Sequence, residues 1–343
     1  MQYRFCLRVK VKTNKTPTKK YTDKMSILFS LFTFNINRVI HRPSISLLSK
    51  KLIDSLTPLK TFHTYNIPTG FQSLKLINEK IIANNTKILS FELPKGVENL
   101  TSLRVPSGIK VKKEVLPGLI HDKSYSPVSL PSKEKQVDII VKRYHSPDSS
   151  FKGLGEFLCN DLKVGESVDI KFKPIKLFVD EPYEANRFEN LIFIGNGTGI
   201  APLYQMALHI LEDDLDDKTN IYFISAHRSE KDILLGTELN HLYDKYCNTQ
   251  FKLNKCILSN PAEEKNGRRM GMADLVDIPL PKSIDDTKTS HVVVCGTDGF
   301  LETVCGMTSF VYEADGTKHK QQGELTGLLQ KFGFENKDCV TKL

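Results

Sequence analysis

Hydrophobic and polar residues alternate along the chain between about residues 71 and 180. Alternation with a period of two is typical of strands that bury one face, and glycine- or proline-containing turns separate the segments. Strands are predicted at residues 74–77, 87–93, 108–112, 136–142 and 167–172. One helical segment, residues 155–162, interrupts them. Short strands at this spacing predict a small antiparallel β-barrel over residues 71–182.

The pattern changes after residue 186, where buried strands begin to alternate with helices. The predicted strands are 191–195, 220–225, 251–258 and 291–295, and the predicted helices are 201–212, about 230–246, 298–306 and 323–331. This alternation is typical of a parallel sheet covered by helices. We therefore expect two domains, with the antiparallel β-barrel followed by a doubly wound parallel-sheet α/β domain over residues 186–343. The joint is expected at residues 181–187.

The segment 191–202 joins a buried strand to a helix through three closely spaced glycines, Gly195, Gly197 and Gly199. Glycine lets the backbone bend sharply and approach a ligand closely. Pro202 lies in the first helical turn, where its missing N–H costs nothing. The turn aims backbone N–H groups and the positive end of the helix at an anion such as a pyrophosphate. For this motif alone, a tight connection that binds no ligand is the alternative.

A second buried strand ends in a glycine turn at residues 291–300, which include Cys295 and Gly296. Ligands of open α/β sheets bind beyond the carboxyl ends of the strands. Because both glycine turns follow parallel strands, we expect them to meet at one edge of the sheet. The pair indicates a ligand site more strongly than either turn does.

Charge is unevenly distributed. Residues 1–60 carry 13 Lys/Arg and two acidic residues, whereas the rest of the chain has a net charge of −3. The folded part therefore gives no reason to expect nucleic-acid binding.

Residues 1–50 are predicted to be a mitochondrial-type targeting segment, with a disordered basic tail as the alternative, and Met25 is a second candidate start. Residues 51–70 form a predicted linker, and the apolar run after Met25 is too short to span a bilayer, so at most peripheral membrane association is expected.

Cysteine spacing gives no metal or disulfide motif. The seven cysteines are scattered, odd in number and without any C-x-x-C pair. This usage is typical of reduced thiols in an intracellular protein, and no metal site is predicted.

Several segments together resemble the ferredoxin–NADP reductase superfamily, specifically its NADH–cytochrome b5 reductase branch. The resemblance spans about residues 70–343 and is carried by segments 123–129, 195–202, 229–235, 295–296 and 327–334. It implies that the barrel binds FAD and that the α/β domain binds NAD(P). The implied protein is a monomeric FAD-dependent oxidoreductase with a haem or iron–sulfur protein as electron acceptor.

The resemblance also implies which residues hold FAD. Tyr125 would pack on the isoalloxazine ring, and Ser126 would hydrogen-bond near N5. Lys123 stands where an arginine usually grips the pyrophosphate, and it keeps the charge without the bidentate fork. Glu156 replaces a serine, and its carboxylate would repel phosphate. The other residues implied on the flavin side are Pro127, Ser129, Val141, Lys142, Tyr144, Gly153 and Gly155.

On the nucleotide side, the resemblance assigns the pyrophosphate and the nicotinamide ribose to the segment 197–199. Cys295 would lie against the nicotinamide, so the predicted catalytic residues are Ser126, Thr198 and Cys295. His227 and Arg228 follow the strand after which the adenosine ribose is read, and NADH is expected, with NADPH as the alternative. The other implied nucleotide-binding residues are Gly195, Gly197, Gly199, Ile200, Pro202, Gly296, Thr297, Asp298 and Phe300.

Two further functions stay open because this chain departs from the family at Lys123, Glu156, Thr297 and its last residues. The segment 322–329 looks like the tail of the fungal mitochondrial flavoprotein that assists haem attachment to cytochrome c. The second alternative is a scaffold that has lost FAD. The family's terminal residue is often aromatic and near the flavin, so with Leu343 that contact is expected to be absent or altered.

Overall fold

The computed structural model describes residues 67–101, 103, 105–116, 118–144, 153–174, 183–258, 268–312 and 318–343. The predicted targeting segment, most of the predicted linker and the start of the predicted joint lie outside these residues. Among the described residues, no helix combines the length and the apolar character that crossing a membrane requires.

The first domain is an antiparallel barrel, as predicted. Its strands are β1 (Gln72–Ala83), β2 (Thr86–Glu92), β3 (Ser107–Leu116), β4 (Leu119–Tyr125), β5 (Gln136–Lys142) and β6 (Ser167–Pro174), in the order β4-β3-β6-β1-β2-β5. After β4 the chain runs beside β5. Pro127 pairs with Ile139 there, and Val128 donates its N–H to the Asp138 carbonyl at 2.8 Å. This pairing brings the two ends of the sheet together.

Alternating side chains fill the barrel core, and Leu74, Leu76, Leu89 and Ile139 are fully or almost fully buried. β4 is a strand that the periodicity did not predict. Its residues are mostly exposed, and both Leu119 and Ile120 face solvent, so the strand lacks the alternation that identifies its neighbours. The short helix α1 (Leu154–Glu156) continues into a π-helical turn, Phe157–Asp161, as the helical pattern predicted.

The second domain is a parallel sheet between two helical layers, again as predicted. Its strands are β7 (Asn190–Asn196), β8 (Asn220–His227), β9 (Phe251–Ile257), β10 (Ser290–Cys295) and β13 (Val340–Lys342), in the order β13-β10-β7-β8-β9. The helices are α2 (Ile200–Leu208), α3 (Gly236–Tyr246), α4 (Asp298–Val304) and α5 (Gly327–Phe332). Separate apolar cores lie on the two faces of the sheet.

Some predicted bounds were wrong. The helix expected over about 230–246 divides into a 3₁₀ turn, Glu230–Asp232, and α3, because Leu235 adopts a left-handed conformation with φ of +52°. α2 ends at Leu208 and passes into a π-helical turn, His209–Asp213. The predicted C-terminal helix begins at Gly327 rather than at residue 323. The hairpin β11 (Ser309–Tyr312) and β12 (Lys318–Gln321) and the strand β13 were not predicted.

The two domains share a hydrophobic core. Val105, Val128 and Ile140 from the barrel are buried with residues of α2 and α3. One face of the α/β sheet therefore packs against the barrel through α2, which also carries the glycine turn at its N-terminus.

Candidate functional site

Gly195, Gly197 and Gly199 have three different structural roles. A Cβ on Gly195 would lie 2.8 Å from Ile200 Cγ2, so this glycine lets the strand and α2 pack closely. Gly197 has a φ of +54° and open space where a Cβ would point, which leaves its backbone accessible to a ligand. A Cβ on Gly199 would overlap the Cys295 carbonyl group and come within 2.8 Å of the Gly296 nitrogen. The two predicted turns therefore touch, at the carboxyl edge of the sheet.

The second turn is built on a buried support. Cys295 and Gly296 are half-buried, whereas Thr297 and Asp298 are exposed. A Cβ on Gly296 would lie 2.6 Å from Phe300 Cδ1, so the buried Phe300 ring supports the turn from below instead of facing the cleft. Beside it, Leu343 donates its N–H to the Val294 carbonyl at 2.9 Å, so the chain's last residue does lie next to this turn.

Lys123 and two tyrosines form the predicted flavin-contacting cluster. The Lys123 Nζ lies 5.5 Å from the centroid of the Tyr144 ring and 5.9 Å from that of the Tyr125 ring. The Tyr144 side chain is largely exposed, whereas the Tyr125 hydroxyl is buried and has no hydrogen-bond partner among the described residues. Burial raises the pKa of that phenol, so it is neutral and available as a donor. A cofactor hydroxyl or phosphate bound beside Tyr125 would satisfy the orphaned atom.

Some residues of the predicted flavin site serve the fold. The Ser129 hydroxyl is buried and accepts the Asp138 N–H at 3.0 Å, and Pro127 forms the bridge that closes the barrel. Val141 is fully buried in the barrel core. Ser126, which follows Tyr125 and precedes Pro127 in the chain, is half-buried.

Glu156 is less repulsive than its charge alone predicts. Its Oε1 accepts from Asn160 Nδ2 at 2.5 Å, and Arg143 Nε lies 3.9 Å from its Oε2. Arg143 is itself anchored, because its Nη2 donates to Asn85 Oδ1 at 2.7 Å. The carboxylate therefore lies beside a cation. Sequence reasoning missed this arginine, although it lies next to Lys142.

Gly153 and Gly155, which precede Glu156 in the chain, differ in the space around them. Open space lies where a Cβ on Gly153 would point, whereas one on Gly155 would approach the Lys142 carbonyl to 3.0 Å. Gly155 thus lets the start of α1 pack against the end of β5. The Lys142 side chain extends to the other domain, where its Nζ lies 3.8 Å from Asp232 Oδ1.

His227 offers no positive charge at the predicted ribose site. It is almost fully buried, and its Nε2 lies 2.5 Å from Ser225 Oγ. Burial lowers its pKa to about 4, so the imidazole is neutral at pH 7. Arg228 is exposed. The side chains of Ile200 and Pro202 are buried, which leaves only their backbones for ligand contact.

Gln205 joins the two domains, and sequence reasoning missed it. Its Oε1 accepts the Ser107 N–H at 2.8 Å, and its Nε2 donates to Ser107 Oγ and to the Ser129 carbonyl, each at 3.1 Å. Gln205 is 1% exposed. A polar residue among the apolar positions of α2 is the signal that could have revealed it, because buried amides require partners.

No metal centre accompanies these groups. Within the described ranges, no group of three or more His, Cys, Asp and Glu side chains is arranged to hold a metal ion. The cysteines in those ranges form no disulfide.

Known proteins share both halves of this arrangement. A family of oxidoreductase FAD-binding domains matches residues 73–175, and a family of oxidoreductase NAD-binding domains matches residues 193–306. An NADH-cytochrome b5 reductase 2 of Neurospora crassa is 31% identical over 276 residues, which cover 77% of this chain and 71% of that protein. The chain belongs to the NADH–cytochrome b5 reductase family. The reductase of the same name from Phaeosphaeria nodorum is 32% identical, with 80% of this chain and 75% of that protein covered.

A solved structure has the fold of this b5 reductase family member. The cytochrome b5 reductase domain of Ulva prolifera nitrate reductase superposes with a TM-score of 0.60 at 20% sequence identity, covering 81% of this chain and 99% of that one. The family matches, together with the reductase relatives, show that the chain is an FAD- and NAD(H)-binding oxidoreductase. The orphaned Tyr125 hydroxyl and the open space at Gly153 and Gly197 fit those two cofactors.

Proposed function

We propose that this chain uses NADH to reduce a haem or iron–sulfur protein through bound FAD. One observation carries the proposal. The turn of Gly199 touches that of Cys295, and Gln205, on the helix that follows, binds Ser107 and Ser129 of the barrel. The nucleotide turns and the segment 123–129 are thereby held against each other. That is the arrangement needed to bring two cofactors together.

Each group has a proposed role. FAD, when bound, accepts hydride from the nicotinamide and passes electrons on one at a time. The backbone N–H groups of Gly197, Thr198 and Gly199 bind the nucleotide pyrophosphate. Tyr125 and Ser126 hold the flavin, and Cys295 limits the space beside the nicotinamide. Lys123 supplies a positive charge for the flavin phosphates.

The ribose end of the cleft gives partial support for NADH. The neutral, buried His227 offers no charge to a 2′-phosphate, although the exposed Arg228 beside it is a cation. The names of the fungal relatives also support NADH and a cytochrome b5-type acceptor. We further propose a monomer directed to mitochondria by residues 1–50. The family matches favour this reductase over the haem-attachment assembly factor and the FAD-free scaffold.

An anaerobic titration tests the proposal. The full chain would be purified, its absorbance spectrum recorded, and NADH or NADPH added before oxidised cytochrome b5 or a [2Fe–2S] ferredoxin. We expect flavin bands that bleach with stoichiometric NADH, then reduction of an acceptor protein. Bleaching by dithionite alone would overturn the reductase in favour of the assembly factor. A colourless protein that does not take up FAD would favour the scaffold.

A further inference from the structure

A cavity lies between the barrel and the α/β domain. It has a volume of about 470 Å³ and is lined by Ile88, Val128 and Ser129 on the barrel side and by Tyr204 and Leu208 of α2. Ligand sites commonly have volumes of ~300–1,000 Å³ and are frequent at domain junctions. The size is sufficient for a small organic molecule.

This cavity is separate from the nucleotide turns. α2 begins at Ile200 beside the glycine turn, whereas Leu208 lies at its other end, roughly 12 Å away at 1.5 Å per residue. Glu212, one turn farther, also lines the cavity. Of the predicted cofactor-binding residues, Ser129 alone is among those lining it, and its hydroxyl is already bonded to Asp138.

Tyr204 lacks a partner in this cavity. Its side chain is 8% exposed, and its hydroxyl makes no hydrogen bond with the residues that the structure describes. Burial raises the pKa of the Tyr204 phenol, and the nearby carboxylates of Glu238 and Glu212, which also line the cavity, raise it further. A hydroxyl that has no protein partner and lies in the wall of a cavity is available to hydrogen-bond a ligand.

The two carboxylates give this cavity a negative wall. Glu212 pairs with Lys245 at 3.1 Å and Glu238 with Lys80 at 3.3 Å, but both lysine side chains are more than half exposed. Ion pairs of this kind are weak and easily exchanged. The cation Lys133 in the lining is held by Asp138 at 2.6 Å. A ligand anion would meet net repulsion.

We propose that this junction cavity binds a small amphipathic amine. The ammonium group pairs with Glu212 and Glu238, the apolar body packs on Leu208 and Leu235, and the Tyr204 hydroxyl hydrogen-bonds to the ligand. The proposal does not depend on the identity of the electron acceptor, because none of these residues belongs to the cofactor machinery.

Calorimetric titration of the full FAD-loaded chain tests this with two probes of equal shape and opposite charge, 4-phenylbutylammonium and 4-phenylbutyrate. We expect saturable binding of the ammonium and at least about tenfold weaker binding of the carboxylate. Glu212→Gln with Glu238→Gln should weaken ammonium binding by about tenfold, and Tyr204→Phe should weaken it more modestly. Glu302→Gln, at an exposed carboxylate of α4, is the matched control.

Three outcomes would overturn the proposal: no binding of the ammonium, equal binding of both probes, or affinity unchanged in the double glutamine variant. The flavin spectrum and the NADH titration of each variant show that it is folded and loaded. They also distinguish failure of the amine-binding proposal from failure of the proposed reductase function.

Discussion

Gly199 lies against the carbonyl of Cys295, with no room between them for a methyl group. We predict that Gly199→Ala forces the two turns apart, since strain of this kind costs about 1–3 kcal/mol and falls on the backbone proposed to hold the nucleotide. NADH-driven flavin bleaching should slow strongly, while FAD content stays close to that of the wild type. Stopped-flow absorbance measures the first quantity and the bound-flavin ratio the second.

Gly271→Ala is the matched control, because no atom lies within 4 Å of a Cβ at that position and its φ of −131° suits alanine. It should reduce flavin at the wild-type rate. If Gly199→Ala also reduced flavin at that rate, contact between the two turns would be irrelevant to nucleotide binding.

Gln205 gives a second prediction. Gln205→Leu leaves the Ser107 N–H and the Ser129 carbonyl without their partner, and each buried unsatisfied group costs about 1–3 kcal/mol. We expect a lower melting temperature together with slower hydride transfer at saturating NADH, because the domains lose their shared anchor. The exposed Gln330→Leu should change neither quantity. Loss of stability with an unchanged hydride-transfer rate would assign Gln205 a purely structural role.

Hydrophobic periodicity predicted both domains because most of their strands bury at least one face. It failed at β4, whose residues are largely exposed, and at the three-residue strand β13. A pattern of burial cannot identify a strand that buries little, or one of three residues that are all buried and so show no alternation. Leu235 shows another limit, because the left-handed residue that divides the expected helix is a leucine and not the neighbouring Gly236.

The geometry of the candidate site was predictable where glycine is required by the backbone itself, as at Gly197 and Gly199. Side-chain roles were harder to predict. His227 follows the expected strand, yet it turns inward to Ser225. Phe300 supports Gly296 from below instead of facing a ligand. Long-range polar contacts, such as that of Gln205, leave no local pattern in a sequence.

The pair of Arg143 and Glu156 gives a third prediction. If Arg143 offsets the carboxylate, Arg143→Ala should weaken FAD binding by about fivefold, equivalent to about 1 kcal/mol for a partly exposed pair. Glu156→Gln keeps an acceptor for Asn160 and should bind FAD at least as tightly as the wild type. The double variant should recover most of the affinity that Arg143→Ala loses.

Quenching of FAD fluorescence on binding measures these affinities. Arg269→Ala removes an exposed arginine elsewhere and serves as the control for loss of positive charge. Weaker binding in Glu156→Gln would show that the carboxylate supports the flavin site, contrary to the expectation of repulsion.

His291 is buried on β10, beside the edge strand β13, and makes the free energy of unfolding depend on pH in acid. It stacks on Phe188 with ring centroids 4.6 Å apart, its Nε2 lies 2.8 Å from Thr341 Oγ1, and burial lowers its pKa to about 3. The unfolded chain binds a proton at this residue below about pH 6.5, whereas the folded chain does not until about pH 3. The free energy of unfolding should therefore fall as the pH drops through that interval, by up to about 1.4 kcal/mol per pH unit for this residue.

His291→Gln should reduce the slope of unfolding free energy against pH by about one proton between pH 4 and 6, besides lowering stability at neutral pH. The buried His227, whose pKa is about 4, should keep part of the slope in that variant. Urea unfolding followed by circular dichroism across this range, with FAD in excess, provides the measurement. His241→Gln, at an exposed position of α3, should leave the slope unchanged. A slope in His291→Gln equal to that of the wild type would mean that His291 takes up its proton without unfolding, and that burial does not hold it neutral.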